Sequence, residues 1–175
     1  MLEQWVRQAQ SGDQDAFVRF VREVEQTLYA VARAMLNSDE DCADAIQEAI
    51  LKAYRSLGAL QEPAYAKTWF TRIVINECNR ILNNRKKVVT LQKINSYRDQ
   101  LDEDYKGIEL REIVDQLEQP LRTLIILYYY EDMSLSQIAD LLEIPEGTVK
   151  SRLHRARAEL ADLLNRPEER STCHE

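Results

Sequence analysis

Apolar residues return every three or four positions over most of the chain, which is the period of an amphipathic helix and not the alternation of a strand. Ile46, Ala49, Ile50, Ala53, Tyr54 and Leu57 mark one apolar face, and Asp44, Gln47, Glu48 and Lys52 fall opposite. A longer helix is predicted over 15–36, set off from a short amphipathic start by Ser11, Gly12 and Asp13. Asn37, Ser38 and Asp39 then supply a break and an N-cap. Gly58 and Pro63 mark a loop of about ten residues that leads to Lys67.

The helical period resumes at Thr68, with Phe70, Ile73, Val74 and Ile81 on one side. Trp69, Arg72, Asn76, Asn79, Arg80 and Asn83 line the other, stacking an aromatic ring, two guanidiniums and three amides along one stripe. Asn is a poor helix former, so three in one outward stripe exceed what a plain solvent face needs. Trp69 suits the core as well as it suits a stacking platform, and Tyr65 in the loop before it can stack or cover the core. Residues 88 to 108 lose the period and gain Asp99, Asp102, Glu103 and Asp104, which reads as a linker. A second helical unit begins near Ile108, runs through Leu117 and passes Pro120, a first-turn proline, into 121–130.

The sharpest local signal follows. Ser134 and Gln137 are spaced as a capping box, with Met133 and Ile138 placed as a hydrophobic staple, so a short helix starts at Leu135 and stops at Glu143 and Ile144. Pro145 restarts a helix at its first position, and that helix runs to Asn165. Two helices joined by a short turn, the second basic at its start, form a helix-turn-helix. Val149, Leu153, Ala156, Leu160 and Leu163 would pack on the first helix, while Lys150, Ser151, His154 and Arg155 project away from it. Such side chains can read base edges in a major groove, and Arg152 and Arg157 flank them at angles suited to phosphates.

Composition agrees with an all-α chain. Four Gly and four Pro in 175 residues leave few turn residues for a sandwich, a barrel or a Gly-rich nucleotide loop. The three cysteines, Cys42, Cys78 and Cys173, are odd in number and far apart, which suits reduced thiols better than a disulfide framework. No apolar run approaches a membrane span, and the first residues lack the pattern of an export signal, so a cytoplasmic location is expected. A net charge of −7 argues at first against nucleic acid. Counted by segment it argues otherwise, because binding depends on local clusters. Residues 1–87 balance 12 basic against 12 acidic side chains, and 88–118 and 119–175 carry the surplus acid. Within 67–87 six cations, Lys67, Arg72, Arg80, Arg85, Lys86 and Lys87, face the single acid Glu77, and 150–157 holds four cations and no acid.

The residues from Ile144 to Arg157 resemble region 4.2 of bacterial sigma factors of the group-four, extracytoplasmic-function (ECF) class. Asp44, Ala45, Ile46, Gln47 and Glu48, followed by Lys52, Ala53 and Tyr54, resemble region 2.2. Thr68, Trp69, Phe70, Thr71, Arg72 and Ile73, followed by Asn76 and Asn79, resemble regions 2.3 and 2.4. The resemblance implies an all-α protein of two small helical domains: a region 2 domain over 1–87, an acidic linker over 88–109, a region 4 helix-turn-helix over 110–166 and a tail over 167–175. It implies that Asp44, Gln47 and Glu48 dock on the clamp of RNA polymerase core, with the flap as a further contact. Tyr65, Lys67, Trp69, Arg72, Asn76, Asn79 and Arg80 would engage an opening −10 element by stacking, backbone contacts and a pocket for an everted base. Lys150, Ser151, His154 and Arg155 would read a −35 element, with Thr148, Arg152 and Arg157 on phosphates. A membrane-anchored anti-sigma factor is the further partner that the resemblance implies.

Reach permits this. A linker of about 21 residues spans at most ~70 Å, and roughly 17 base pairs cover about 58 Å. Two other readings stay open on the residues alone. One is a stand-alone helix-turn-helix regulator whose N-terminal half senses a ligand or dimerises. The other is an enzyme, for which no Gly-rich phosphate loop, no nucleophile with a base and no metal-ligand cluster is found, so neither catalytic residue nor cofactor is expected.

Overall fold

The computed structural model describes residues 1–89 and 108–165, whose regular structure is all helical, without strands. Most of the expected linker lies outside the described residues, as does the tail from Arg166 onward with Cys173 and His174. The first half contains α1 (Leu2–Gln10), α2 (Gln14–Met35), α3 (Asp39–Ser56) and α4 (Ala66–Val89). The second contains α5 (Ile108–Asp115), α6 (Gln119–Ile125), α7 (Leu135–Leu142) and α8 (Glu146–Leu164).

Helix boundaries follow the expected chemistry. Gly12 turns the chain between α1 and α2 at φ +103°, where a side chain would be strained, and Asp13 caps α2 by accepting from the Ala16 N–H at 3.0 Å. Ser38 caps α3 by accepting from Asp41 at 3.4 Å. The loop after α3 is two short 3-10 turns, Leu57–Ala59 and Pro63–Tyr65. It is tied to α1 by the Gln10 amide, which donates to the Leu57 and Leu60 carbonyls at 3.0 and 2.7 Å.

The buried face of α3 differs from the expected one. Cys42, Ala45, Ala49 and Ala53 are fully buried, whereas Tyr54 is half exposed and meets Phe17 edge-on at 5.1 Å. Small side chains let α3 approach α2 and α4 closely, and Ile46 and Ile50 flank that seam. In α4 the burial is wider than one apolar stripe requires. Phe70, Val74, Ile75 and Cys78 are all buried, together with Thr71 and Glu77.

In the second half α6 passes into a wider π-type turn, Ile126–Tyr130, closed by the Glu131 N–H on the Ile126 carbonyl at 3.1 Å. Both bonds of the capping box form at α7: Gln137 N–H to Ser134 Oγ at 3.2 Å and Ser134 N–H to Gln137 Oε1 at 2.9 Å. Met133 and Ile138 are buried as a staple requires. Glu143 takes φ +56° to reverse the chain. Pro145 caps α8 from outside and does not occupy its first position, a displacement of one residue.

The two halves pack directly on each other, α2 against α6 and the π-type turn, and their buried apolar residues form one continuous cluster. Arg122 is a buried cation at this seam and is 7% exposed. Its Nε–H donates to the Ala34 carbonyl at 2.8 Å, its Nη2 to Asn37 Oδ1 at 3.0 Å and its Nη1 to the Asp115 carbonyl at 3.1 Å. The first two acceptors lie at the C-terminal end of α2, where carbonyls lack helical partners and the dipole favours a cation. Burial holds the Arg122 pKa below its ordinary value.

Candidate nucleic-acid interface

Asp44, Gln47 and Glu48 stand exposed on one face of α3, opposite the small-residue seam. Leu51, one turn further on, is also exposed and adds an apolar contact beside them. The α4 stripe is solvent-facing at Arg72, Asn76, Asn79, Arg80 and Asn83. Trp69 is half-buried and packs against the core beside Phe70, with ring centroids 6.3 Å apart, so the core accounts for much of its surface. Tyr65 is 63% exposed at the end of the loop, which leaves its ring available for stacking.

Glu77 organises this face and is the residue that helical periodicity missed. Its carboxylate is 4% exposed and accepts from Lys52 of α3 and, at 2.8 Å, from the Arg80 Nε–H. Burial pushes its pKa upward, but the hydrogen bonds and charges of Lys52 and Arg80 outweigh burial and hold the carboxyl below its ordinary value. Lys52 and Arg80 are each half exposed, so one buried anion holds two surface cations side by side where α3 meets α4. The one visible signal was a lone acid in a run of six cations.

Two other cations of this half are engaged by the second half. Lys67 Nζ lies 2.8 Å from Glu131 Oε2, whose carboxylate is 7% exposed, and Arg72 Nη2 donates to the Asp140 carbonyl at 2.7 Å. Nothing in the spacing announced these partners, which are remote in sequence.

On α8, Val149, Leu153 and Ala156 are buried and Leu160 and Leu163 partly so. Lys150, Ser151, His154, Arg155 and Arg157 are exposed, and Thr148 and Arg152 are half-buried. Lys150 pairs with Glu146 at 2.8 Å, and Arg155 pairs with Glu159 at 2.8 Å and Glu118 at 3.2 Å, bonds that raise the Arg155 pKa. The Ser151 hydroxyl donates to the Thr148 carbonyl at 3.0 Å. Arg157 is held differently, by Tyr128 and Tyr129. The expected base-reading and phosphate-facing side chains therefore share one continuous outer surface.

Among the described residues no group of three or more His, Cys, Asp or Glu side chains is placed to hold a metal ion, and no helix is long and apolar enough to cross a membrane. Cys42 and Cys78 are buried free thiols, with pKa values pushed up to about 11 and about 12 by desolvation.

Two family models match the chain: Sigma-70 region 2 over residues 20–88 and Sigma-70, region 4 over 107–160. Among curated relatives, the ECF RNA polymerase sigma factor SigM of Mycobacterium tuberculosis is 33% identical over 156 residues, covering 88% of this chain and 80% of its own. The ECF RNA polymerase sigma factor SigW of Bacillus subtilis is 30% identical, covering 94% of this chain and 97% of its own. Among solved structures, the sigma factor RpoE of Bartonella quintana, in complex with the anti-sigma factor NepR, superposes with a TM-score of 0.72 at 24% identity, over 85% of this chain and 96% of that one. CnrH, in complex with the cytosolic domain of CnrY, gives a TM-score of 0.66 at 24% identity, over 93% and 96%. These likenesses extend across both helical halves, and the chain belongs to the sigma-70 family of RNA polymerase sigma factors, in its extracytoplasmic-function class.

Proposed function

We propose that this chain is the promoter-specificity subunit of RNA polymerase, with one half for the core enzyme and the −10 element and the other for the −35 element. It supplies recognition and strand capture, while the bond-making chemistry belongs to the polymerase. The observation that carries the reading is the pair of separate polar helix faces, α4 with its amides and guanidiniums and α8 with its basic outer surface, within the two matched regions. The working division is a region 2 domain over 1–87, a linker over 88–109, a region 4 domain over 110–166 and a tail over 167–175.

Asp44, Gln47 and Glu48 dock on the polymerase clamp, and Leu51 adds an apolar contact beside them. Arg72, Asn76, Asn79 and Arg80 take the −10 strand, with Tyr65 as a stacking surface, Lys67 on its backbone and Trp69 as a wall. Lys150, Ser151, His154 and Arg155 read the −35 bases; Thr148, Arg152 and Arg157 take phosphates. Bridging two elements about 58 Å apart requires the halves to separate. In the packed arrangement Lys67 and Arg72 have partners in the second half, so docking on the polymerase must exchange those partners for DNA. The RpoE structure, in complex with the anti-sigma factor NepR, supports a regulator of that type here, working in the cytoplasm where the polymerase is found.

The test is transcription initiation in vitro from a genomic promoter library, with 5′ ends read by sequencing. Core polymerase plus this protein is expected to start at sites sharing −35 and −10 elements, and core alone is not. Absence of any specific start with the protein present overturns the proposal.

A further inference from the structure

The cations on the outer face of α8 are not equivalent. Lys150 is opposed by Glu146, and Arg155 by both Glu118 and Glu159. Arg157 has no acidic partner among the described residues; its neighbours are aromatic and neutral. Its Nε–H donates to the Tyr129 hydroxyl at 2.7 Å, and its guanidinium carbon lies 5.6 Å from the ring centroids of both Tyr128 and Tyr129. The two rings meet edge-on at 4.9 Å, forming a corner in which the guanidinium sits.

This corner fixes the direction of Arg157 without spending its charge. A carboxylate partner would have cancelled the cation, whereas a phenol oxygen and two ring faces hold it through a neutral hydrogen bond and cation–π attraction. With Nε occupied, the terminal Nη fork remains for a bidentate acceptor. The Tyr129 hydroxyl, which accepts from Arg157, keeps its own proton to donate. The corner opens on a groove of about 310 Å³ lined by Tyr128, Leu135, Lys150, Leu153, His154 and Arg157. Lys150 and His154 place a cation and an imidazole on the same groove, and among the described residues the only acid paired into it is Glu146, through Lys150.

We infer that Tyr129 is a positioning residue for Arg157: together with the Tyr128 ring it holds the guanidinium so that the free Nη fork is aimed, with its charge intact, at one DNA backbone phosphate across this groove. The inference rests on the promoter-recognition reading above and deepens it at one contact. The π-type turn has a role in this scheme, because it brings two consecutive tyrosines to α8. A phosphate contact carries no sequence information, so it sets the register of α8 on the duplex and leaves base preference to its neighbours.

The test uses holoenzyme reconstituted with polymerase core on a promoter that the wild-type protein uses. Arg157→Gln is expected to weaken promoter binding about tenfold and to lower the slope of log affinity against log salt by about one, the signature of one lost phosphate. Tyr129→Phe keeps the ring and removes one oxygen. It should weaken binding about threefold, leave the melting temperature unchanged and leave the ranking of −35 variants intact. Combined with Arg157→Gln, Tyr129→Phe should add nothing, because it acts through that arginine. An unchanged salt slope in Arg157→Gln, an altered −35 ranking, or additive effects in the double variant would each overturn the inference. If the wild-type holoenzyme itself starts no promoter-specific transcript, the underlying reading fails instead, so the two failures are separable.

Discussion

The α4 and α8 faces carry similar chemistry, yet the molecule treats their cations in opposite ways. On α8 the acids facing Lys150 and Arg155 are exposed or half-exposed and mostly one helical turn away, an arrangement worth about 0.3–0.5 kcal/mol per pair and readily given up to a phosphate. Around α4 the partners are buried: Glu77 beneath Lys52 and Arg80, and Glu131 of the other half beneath Lys67. A buried carboxylate cannot be left unpaired cheaply. The α8 face is thus free of buried partners in the packed arrangement, while part of the α4 face is committed to the chain itself. Exposure alone would have ranked the two faces alike; the burial of their partners separates them.

The comparison can be broken most forcefully at the seam. Arg122→Ala removes a buried cation that satisfies two carbonyls and the Asn37 amide oxygen, and it should destabilise the chain by about 3 kcal/mol in urea denaturation. A loss below about 1 kcal/mol would mean that apolar packing and the remaining polar contacts, Lys67 with Glu131 and Arg72 with Asp140, hold the halves together without Arg122.

Lys67→Ala should come next. It leaves the Glu131 carboxylate buried without its cation and should cost about 1–2 kcal/mol, whereas Glu131→Gln should cost less because no charge is stranded. Equal losses from the two variants would show that Glu131 is solvated in practice and that the asymmetry between the faces is weak.

Glu77 gives the comparison a pH axis. Its pKa in the folded protein lies below the ordinary carboxylate value, so its contribution is present above the unfolded-state pKa and is lost as pH falls through the folded one. Wild-type stability should therefore fall on acidification more steeply than that of Glu77→Gln, a difference to be read from urea midpoints between pH 7 and pH 3. Parallel curves would remove Glu77 from the account of the α4 face.

The smallest effect is expected on α8. Glu159→Gln, which leaves Arg155 one exposed acid, should shift stability by under about 0.5 kcal/mol in thermal melts, and salt should erase even that. A larger change would put α8 in the same class as α4.

Much of the architecture is legible locally. The capping box at Ser134, the Gly12 turn, the Ser38 cap and the 3.6-residue period placed the helices to within a residue or two, because each depends on neighbours within one or two turns. The outward sets on α3 and α8 were readable for the same reason. The misplacement of Tyr54 and the one-sided reading of α4 have another origin. Which of two adjacent apolar stripes becomes the seam depends on the shape of the neighbouring helix, and small residues won on α3 because α4 comes close.

Local spacing and charge clustering along the chain thus determined the helices, the helix-turn-helix and the two cationic faces, including the reversal of what a net charge of −7 first suggested. Only the tertiary structure decided which cations are bound to partners and which are free of acids. Arg122 with Ala34, Lys67 with Glu131, Lys52 with Glu77 and Arg157 with Tyr129 are each at least 25 residues apart. No periodicity encodes such pairs, because they arise from how whole helices pack, and packing is settled by the summed fit of many side chains.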